Sequence, residues 1–151
     1  MTYRFARRLN WNRPTLTFAV LVFLGACSSA APPKPVEIAE GDTCTFCKKP
    51  IADMRFAAEF VTKDGFVRKF DDIGCMIEHS KKGNRNAIAA FFTVDHDKKN
   101  WMKAEDMSYL RSKNLKTPGG SGIAAFADKS RTQALATQFQ GEAVGFEDLM
   151  K

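Results

Sequence analysis

The chain has 151 residues and a formal net charge of +6, but four of its arginines and none of its acids lie in the first 26 residues, which leaves +2 on the rest. No basic stripe interleaved with aromatics occurs after that point, so nucleic acid is not an expected partner. The 125 residues from Cys27 onward suffice for one compact domain or two small ones.

Residues 1–26 have the layout of a secretory signal: a basic start (Arg4, Arg7, Arg8, Arg13), then an apolar run from Thr15 to Ala26 that is too short for a transmembrane helix. Leu24-Gly25-Ala26-Cys27 resembles a bacterial lipobox, in which Cys27 is acylated and becomes the first mature residue. Ser28–Glu37 is small and proline-rich, a composition that favours extended polyproline II. Residues 27–40 are therefore read as an acylated cysteine and a flexible tether, with the globular part starting near Gly41. The expected location is the cell envelope, lipid-anchored to the outer membrane and facing the periplasm.

Three thiols remain: Cys44, Cys47 and Cys75. They cannot all pair, so at least one is free or holds a ligand. A Cys44–Cys47 disulfide with Cys75 left over is one reading. Thioredoxin-like exchange is a weaker one, because a redox CxxC belongs after a strand in a βαβ unit. Covalent haem is excluded, since Lys48 follows Cys47 where a histidine is needed.

The element order favours a metal site. Arg55–Val61 is β-prone, Lys63-Asp64-Gly65 is a hairpin turn, and Phe66–Phe70 alternates. Asp71–Gly83 then reads as a helix, capped by Asp71 or Asp72 and ended by Gly83. A hairpin that folds back brings the CxxC bend to the start of that helix, where Cys75 lies. Cys75 and His79 are i and i+4 and share a face, so Cys44, Cys47, Cys75 and His79 make a Cys3His zinc pattern. Met54 and Met76 beside the thiols offer soft donors that favour Cu(I). Met76 also falls on the apolar face with Ile73 and Ile77, a core position.

The pattern "CxxC–hairpin–FDDIGCM" resembles the NosL family, copper-carrying accessory lipoproteins of nitrous oxide reductase. Trp101, Ala104, Tyr109, Thr117-Pro118, Gly122 and Ala125-Phe126 follow in that family's order. The resemblance implies a non-enzymatic metallochaperone that binds Cu(I) and delivers it to a cuproenzyme or its assembly factors. Zn2+ in a structural Cys3His module with a partner-binding role is the alternative. Two departures stand out: Lys49 and Gly119 occupy positions where the family typically has methionine.

The resemblance also implies an α+β fold of two similar ββαβ units, and the sequence supports it in part. Residues 41–96 give a hairpin, a helix (Asp72–Lys81) and a strand (Ala87–Val94). Residues 97–151 give strands Met107–Ser112 and Gly122–Ala127, a helix Ser130–Gln140 and a strand Glu142–Phe146. Phe70-Asp71-Asp72 before the first helix is echoed by Phe126-Ala127-Asp128 before the second. Asp95–Asn100 reads as a connector with a solvated His96. No nucleophile–base–acid order, phosphate loop or catalytic carboxylate pair stands out, so an enzyme is not expected.

Overall fold

Seven strands in two antiparallel sheets are found among residues 31–151, the range described by this computed structural model. The readings that fall on residues 1–26 and on Cys27, and the start of the tether, lie outside it. The first sheet holds β1 (Ala58–Thr62), β2 (Val67–Phe70), β3 (Ile88–Val94) and β4 (Trp101–Lys103) in the order β2-β1-β3-β4. The second holds β5 (Ser108–Arg111), β6 (Ile123–Phe126) and β7 (Glu142–Gly145) in the order β6-β5-β7. In both, a hairpin leads into a helix and the next strand returns antiparallel to the first. The helices are α1 (Ile73–Lys82) and α2 (Lys129–Gln138), and a short α3 (Phe146–Leu149) ends the chain. The expected α+β fold with a repeated ββαβ arrangement is therefore present.

Local chemistry sets most boundaries. Gly65 takes φ +87°, which glycine supplies without strain in the β1–β2 turn. Asp72 caps α1 by accepting from Gly74 N, and Asp128 caps α2 by accepting from Ser130 N and Arg131 N. Arg55 and Phe56 fall outside β1, contrary to the β-prone reading. The Asp53 side chain accepts from Arg55 N and bends Met54–Phe56 into a 3-10 turn. Sequence reasoning missed β4 because three residues carry no periodicity. It also extended the last strand to Phe146, which instead opens α3, with Glu147 and Asp148 in the first turn.

α1 contacts β1 and β2 of the first sheet and β6 of the second. Ile73, Met76 and Ile77 are buried there with Phe60, Phe70, Phe91, Ile123 and Phe146. Each such side chain contributes about 1.5–3 kcal/mol of hydrophobic stabilisation. The other face of the second sheet packs Leu110, Ala124 and Phe126 on Leu135 and Ala136 of α2. The connector is more structured than its composition implies. His96 is half-buried, its ring 5.3 Å from that of Phe56 and 5.2 Å from that of Phe126. Buried Asp95 accepts from Ala127 N at 2.7 Å and staples the connector to β6.

Ala58 and Phe60 face α1, so Glu59 and Val61 point to the outer face of the first sheet. The proline-rich segment lies across that face. Pro33 lines a hollow with Ala90 and Lys103, Val36 N donates to Glu59 Oε1 at 2.8 Å, and Lys69 Nζ donates to Glu37 O at 2.8 Å and to Asp42 Oδ2 at 2.6 Å. Thus residues 33–42 cross from the β3–β4 side to edge strand β2, and the chain then turns around that edge toward the thiols.

Candidate metal centre

The CxxC segment is a small closed loop. Thr43 and Pro50 form an antiparallel bridge, Cys44 N donates to Lys49 O at 2.8 Å, and Lys48 N donates to Cys44 O at 3.0 Å. Lys48 takes φ +65° to close the turn. Cys47 N approaches Cys44 Sγ at 3.5 Å, which orients a backbone dipole toward that sulfur. Thr45 N donates to Lys69 O at 2.8 Å, fastening the loop to β2 two residues before Asp71.

The stretch Phe70–Cys75 has a distinct task at each position. Phe70 and Ile73 are core residues. Asp71 turns its carboxylate to the CxxC loop, where Cys47 Sγ donates to Oδ1 at 3.3 Å and Oδ2 at 3.4 Å. Asp72 caps α1 through Oδ1 and accepts from Gly119 N through Oδ2 at 2.8 Å, so it joins the helix start to the second half of the chain. At Gly74 a Cβ would stand 2.3 Å from Ser121 Cβ, so only glycine permits this approach of α1 to the 117–122 turn. Cys75 then lies in the first turn of α1, buried beside Cys44 in the main apolar cluster.

Ligand atoms of Cys44, Cys47, Asp71 and Cys75 all lie within 4.8 Å of one another. A thiolate–zinc bond of about 2.3 Å places tetrahedral sulfurs about 3.8 Å apart, so this group fits around one ion after a small contraction. The chemistry of the set fits too: three soft sulfurs and one hard oxygen. The three cysteines are free thiols.

The surroundings of Cys44 and Cys75 keep those two thiols protonated without metal. Burial pushes the Cys75 thiol up, and the neighbouring Cys44, Asp71 and Cys47 groups add to this. Burial likewise raises Cys44, with a hydrogen bond to Asp71 as the next cause. For Cys75, desolvation and nearby negative charge thus outweigh the favourable helix N-terminus.

The other sequence-derived candidates are His79, Met76 and Met54. His79 is outside the four-residue group. Its ring packs 5.5 Å from Phe70, 5.9 Å from Phe60 and 6.3 Å from Phe46, and burial followed by the charges of Arg68, Lys48 and Lys82 holds it below the usual imidazole range. Met76 is fully buried in the core cluster. Met54 lies in the 3-10 turn whose Phe56 joins the second apolar cluster. Lys49 is exposed, with Nζ 3.5 Å from Pro118 O. A Cβ at Gly119 would meet Asp72 Cγ at 2.9 Å, so a methionine there would displace the α1 cap. Asp71 is the member that sequence reasoning missed. Two adjacent aspartates before a helix signalled a cap, and only the second of them caps.

The relatives agree with this architecture. A profile of the NosL family matches residues 35–151. The crystal structure of the copper chaperone NosL from Shewanella denitrificans aligns with a TM-score of 0.69 at 17% sequence identity, over 78% of this chain and 96% of that one. At that identity the likeness concerns the fold. A comparison with curated protein sequences finds no match. The profile match spans both sheets, the CxxC loop and the helix bearing Cys75, and on that ground the chain belongs to the NosL family.

Proposed function

We propose that this protein is an extracytoplasmic carrier of Cu(I), which it delivers as cargo to a cuproenzyme such as nitrous oxide reductase or to its assembly factors. The observation that carries the reading is the convergence of three free thiols within 4.8 Å on a folded frame. Cys44, Cys47 and Cys75 would hold the ion, because soft thiolates suit Cu(I). The family relationship and the copper chaperone named above support copper in particular. The Asp71 carboxylate accepts a hydrogen bond from Cys47 Sγ and so orients that sulfur at the cluster. Carriage, not catalysis, is what such a site does: the cargo must be held and then surrendered.

One observation favours a second reading. Asp71 supplies an oxygen that completes a four-coordinate set, which suits structural Zn2+. Asp71→Asn separates the two. Under the Cu(I) reading, competition against a Cu(I) chelator gives an affinity within about threefold of wild type, because the three sulfurs do the binding. Under the zinc reading the same change weakens Zn2+ by about 10–100-fold. Wild-type protein that takes up Zn2+ stoichiometrically and leaves Cu(I) to the chelator would overturn the copper proposal.

The proposed location is the periplasmic side of the outer membrane, with Cys27 acylated. Cys27→Ala protein should appear in the soluble fraction with an unprocessed or altered N-terminus. Retention of this variant on membranes after a high-salt wash, at unchanged mature mass, would refute the anchor.

A further inference from the structure

The surface around the thiols has a charge pattern that metal binding does not require. Beside Cys75 a cavity of about 390 Å³ opens between α1 and the 119–121 turn, lined by Phe46, Ile77, Glu78, Lys81, Arg111 and Ser121 among others. Phe46, inside the CxxC loop next to Cys47, is half-buried and lines the cavity, and Lys82 Nζ lies 4.6 Å from its ring centre. Lys48 and Arg68 lie close enough to His79 for their charges, after burial, to help depress it. Lys48, Arg68, Lys81 and Lys82 are all exposed. Arg111 is already paired with Glu142 at 2.7 Å. The one exposed carboxylate lining the cavity is Glu78, while Asp71 and Asp72 are buried beneath the loop.

We infer that this basic rim is a docking port for an acceptor protein whose own metal-binding loop is flanked by carboxylates. The inference rests on the Cu(I)-carrier reading and names the kind of partner it serves. Two features select a protein loop over an anionic membrane. Lys81 lines a concave entrance that reaches Cys75, and Lys82 stands beside the Phe46 ring in its wall, an opening that a protruding loop can fill. A flat bilayer on the same residues would seal the metal in. Complementary charge brings such a partner to the mouth quickly and lets it leave, since exposed pairs add rate more than affinity. Opposite charge also lets the acceptor orient before ligand exchange begins, sulfur by sulfur.

The test uses Cu(I)-loaded protein and two chelators with the same phenanthroline donors, anionic bathocuproine disulfonate and uncharged neocuproine, as probes of charge at the mouth. Expected for wild type is an exchange rate to the anionic chelator that falls by about tenfold between low and physiological salt, with the uncharged chelator unaffected. Lys81→Glu/Lys82→Glu should lower the anionic rate by a similar factor, and Glu78→Lys should raise it, an acceleration that misfolding cannot mimic. Equal responses of both chelators to salt and to these variants would overturn the port. So would Lys81→Glu/Lys82→Glu protein that exchanges normally but no longer binds phosphatidylglycerol vesicles that wild type binds, which would assign the rim to lipid. A wild type that fails to bind Cu(I) in the preceding titration would instead count against the carrier reading.

Discussion

Cys75→Ser is expected to weaken Cu(I) binding by about 100-fold or more, equivalent to about 2.7 kcal/mol, while the protein stays folded. Cys75 is only 7% exposed and shares one cluster with Cys44 and Cys47. Serine keeps the volume class of cysteine, so packing survives while the sulfur is lost. The Cys44→Ser and Cys47→Ser proteins should lose comparable affinity. Double variants should lose far less than the sum, because ligands of one ion do not act independently. Proton competition gives a second signature. With Cys44 and Cys75 both raised by burial, loading must displace thiol protons, so apparent affinity should climb as pH rises through the neutral range. Chelator competition at several pH values reads both effects. A folded Cys75→Ser protein with wild-type Cu(I) affinity, or with an unchanged pH slope, would mean that the three thiols are not one site.

What the sequence disclosed and what it withheld divide along physical lines. Elements with their own punctuation were legible: the Lys63-Asp64-Gly65 turn, the Asp72 cap with its apolar face, and the glycine after α1 each act within a few residues. Convergence of the thiols was legible too, because a hairpin returns the chain to its starting end. The fourth corner was not. Helical spacing puts His79 beside Cys75, yet the neighbours on that flank are Phe46, Phe60 and Phe70, and the ring is absorbed by them. Asp71 reaches the cluster because it follows the last residue of β2 directly, one residue before the cap. That direction depends on the sheet edge and on the Thr45–Lys69 bond, which no local pattern encodes. The role of residues 33–42 was hidden for a different reason. A proline-rich stretch has the same composition whether it hangs free or lies on a sheet, and the signal that distinguishes the two is Glu59, a carboxylate on a strand that has to be buried by something.

Glu59 supplies the other large expected effect. It is fully buried on β1 under Val36, with Oε1 bonded to Val36 N and Oε2 without a partner. Its cross-strand neighbour Lys69 spends its ammonium on Asp42 and Glu37 O. Burial therefore raises the Glu59 pKa to about 7 from 4.5, offset in part by the Val36 bond and the Lys69 charge. The folded state then holds a proton that the unfolded chain releases above pH 4.5, so this group's contribution to stability is full below that value and is lost as pH rises through 7. The difference amounts to about 3 kcal/mol at most. Lifting residues 33–42 off the sheet would hydrate the ionised carboxylate, so the same free energy favours an undocked segment at higher pH. The segment is continuous with the metal loop, since Ile51 N donates to Asp42 O at 2.9 Å and Thr45 N to Lys69 O at 2.8 Å. Glu59→Gln keeps an acceptor for Val36 and removes the titration. Whatever constant offset its amide brings, its stability should fall less than that of wild type between pH 5 and pH 8, the two profiles diverging by up to about 3 kcal/mol. Other titrating groups, including His79, cancel in that comparison. Denaturant unfolding across the range measures it, and amide exchange at Val36 should accelerate with pH more in wild type than in the variant, beyond the intrinsic rate. Parallel stability profiles would show that Glu59 is already solvated and that residues 33–42 do not seal the sheet.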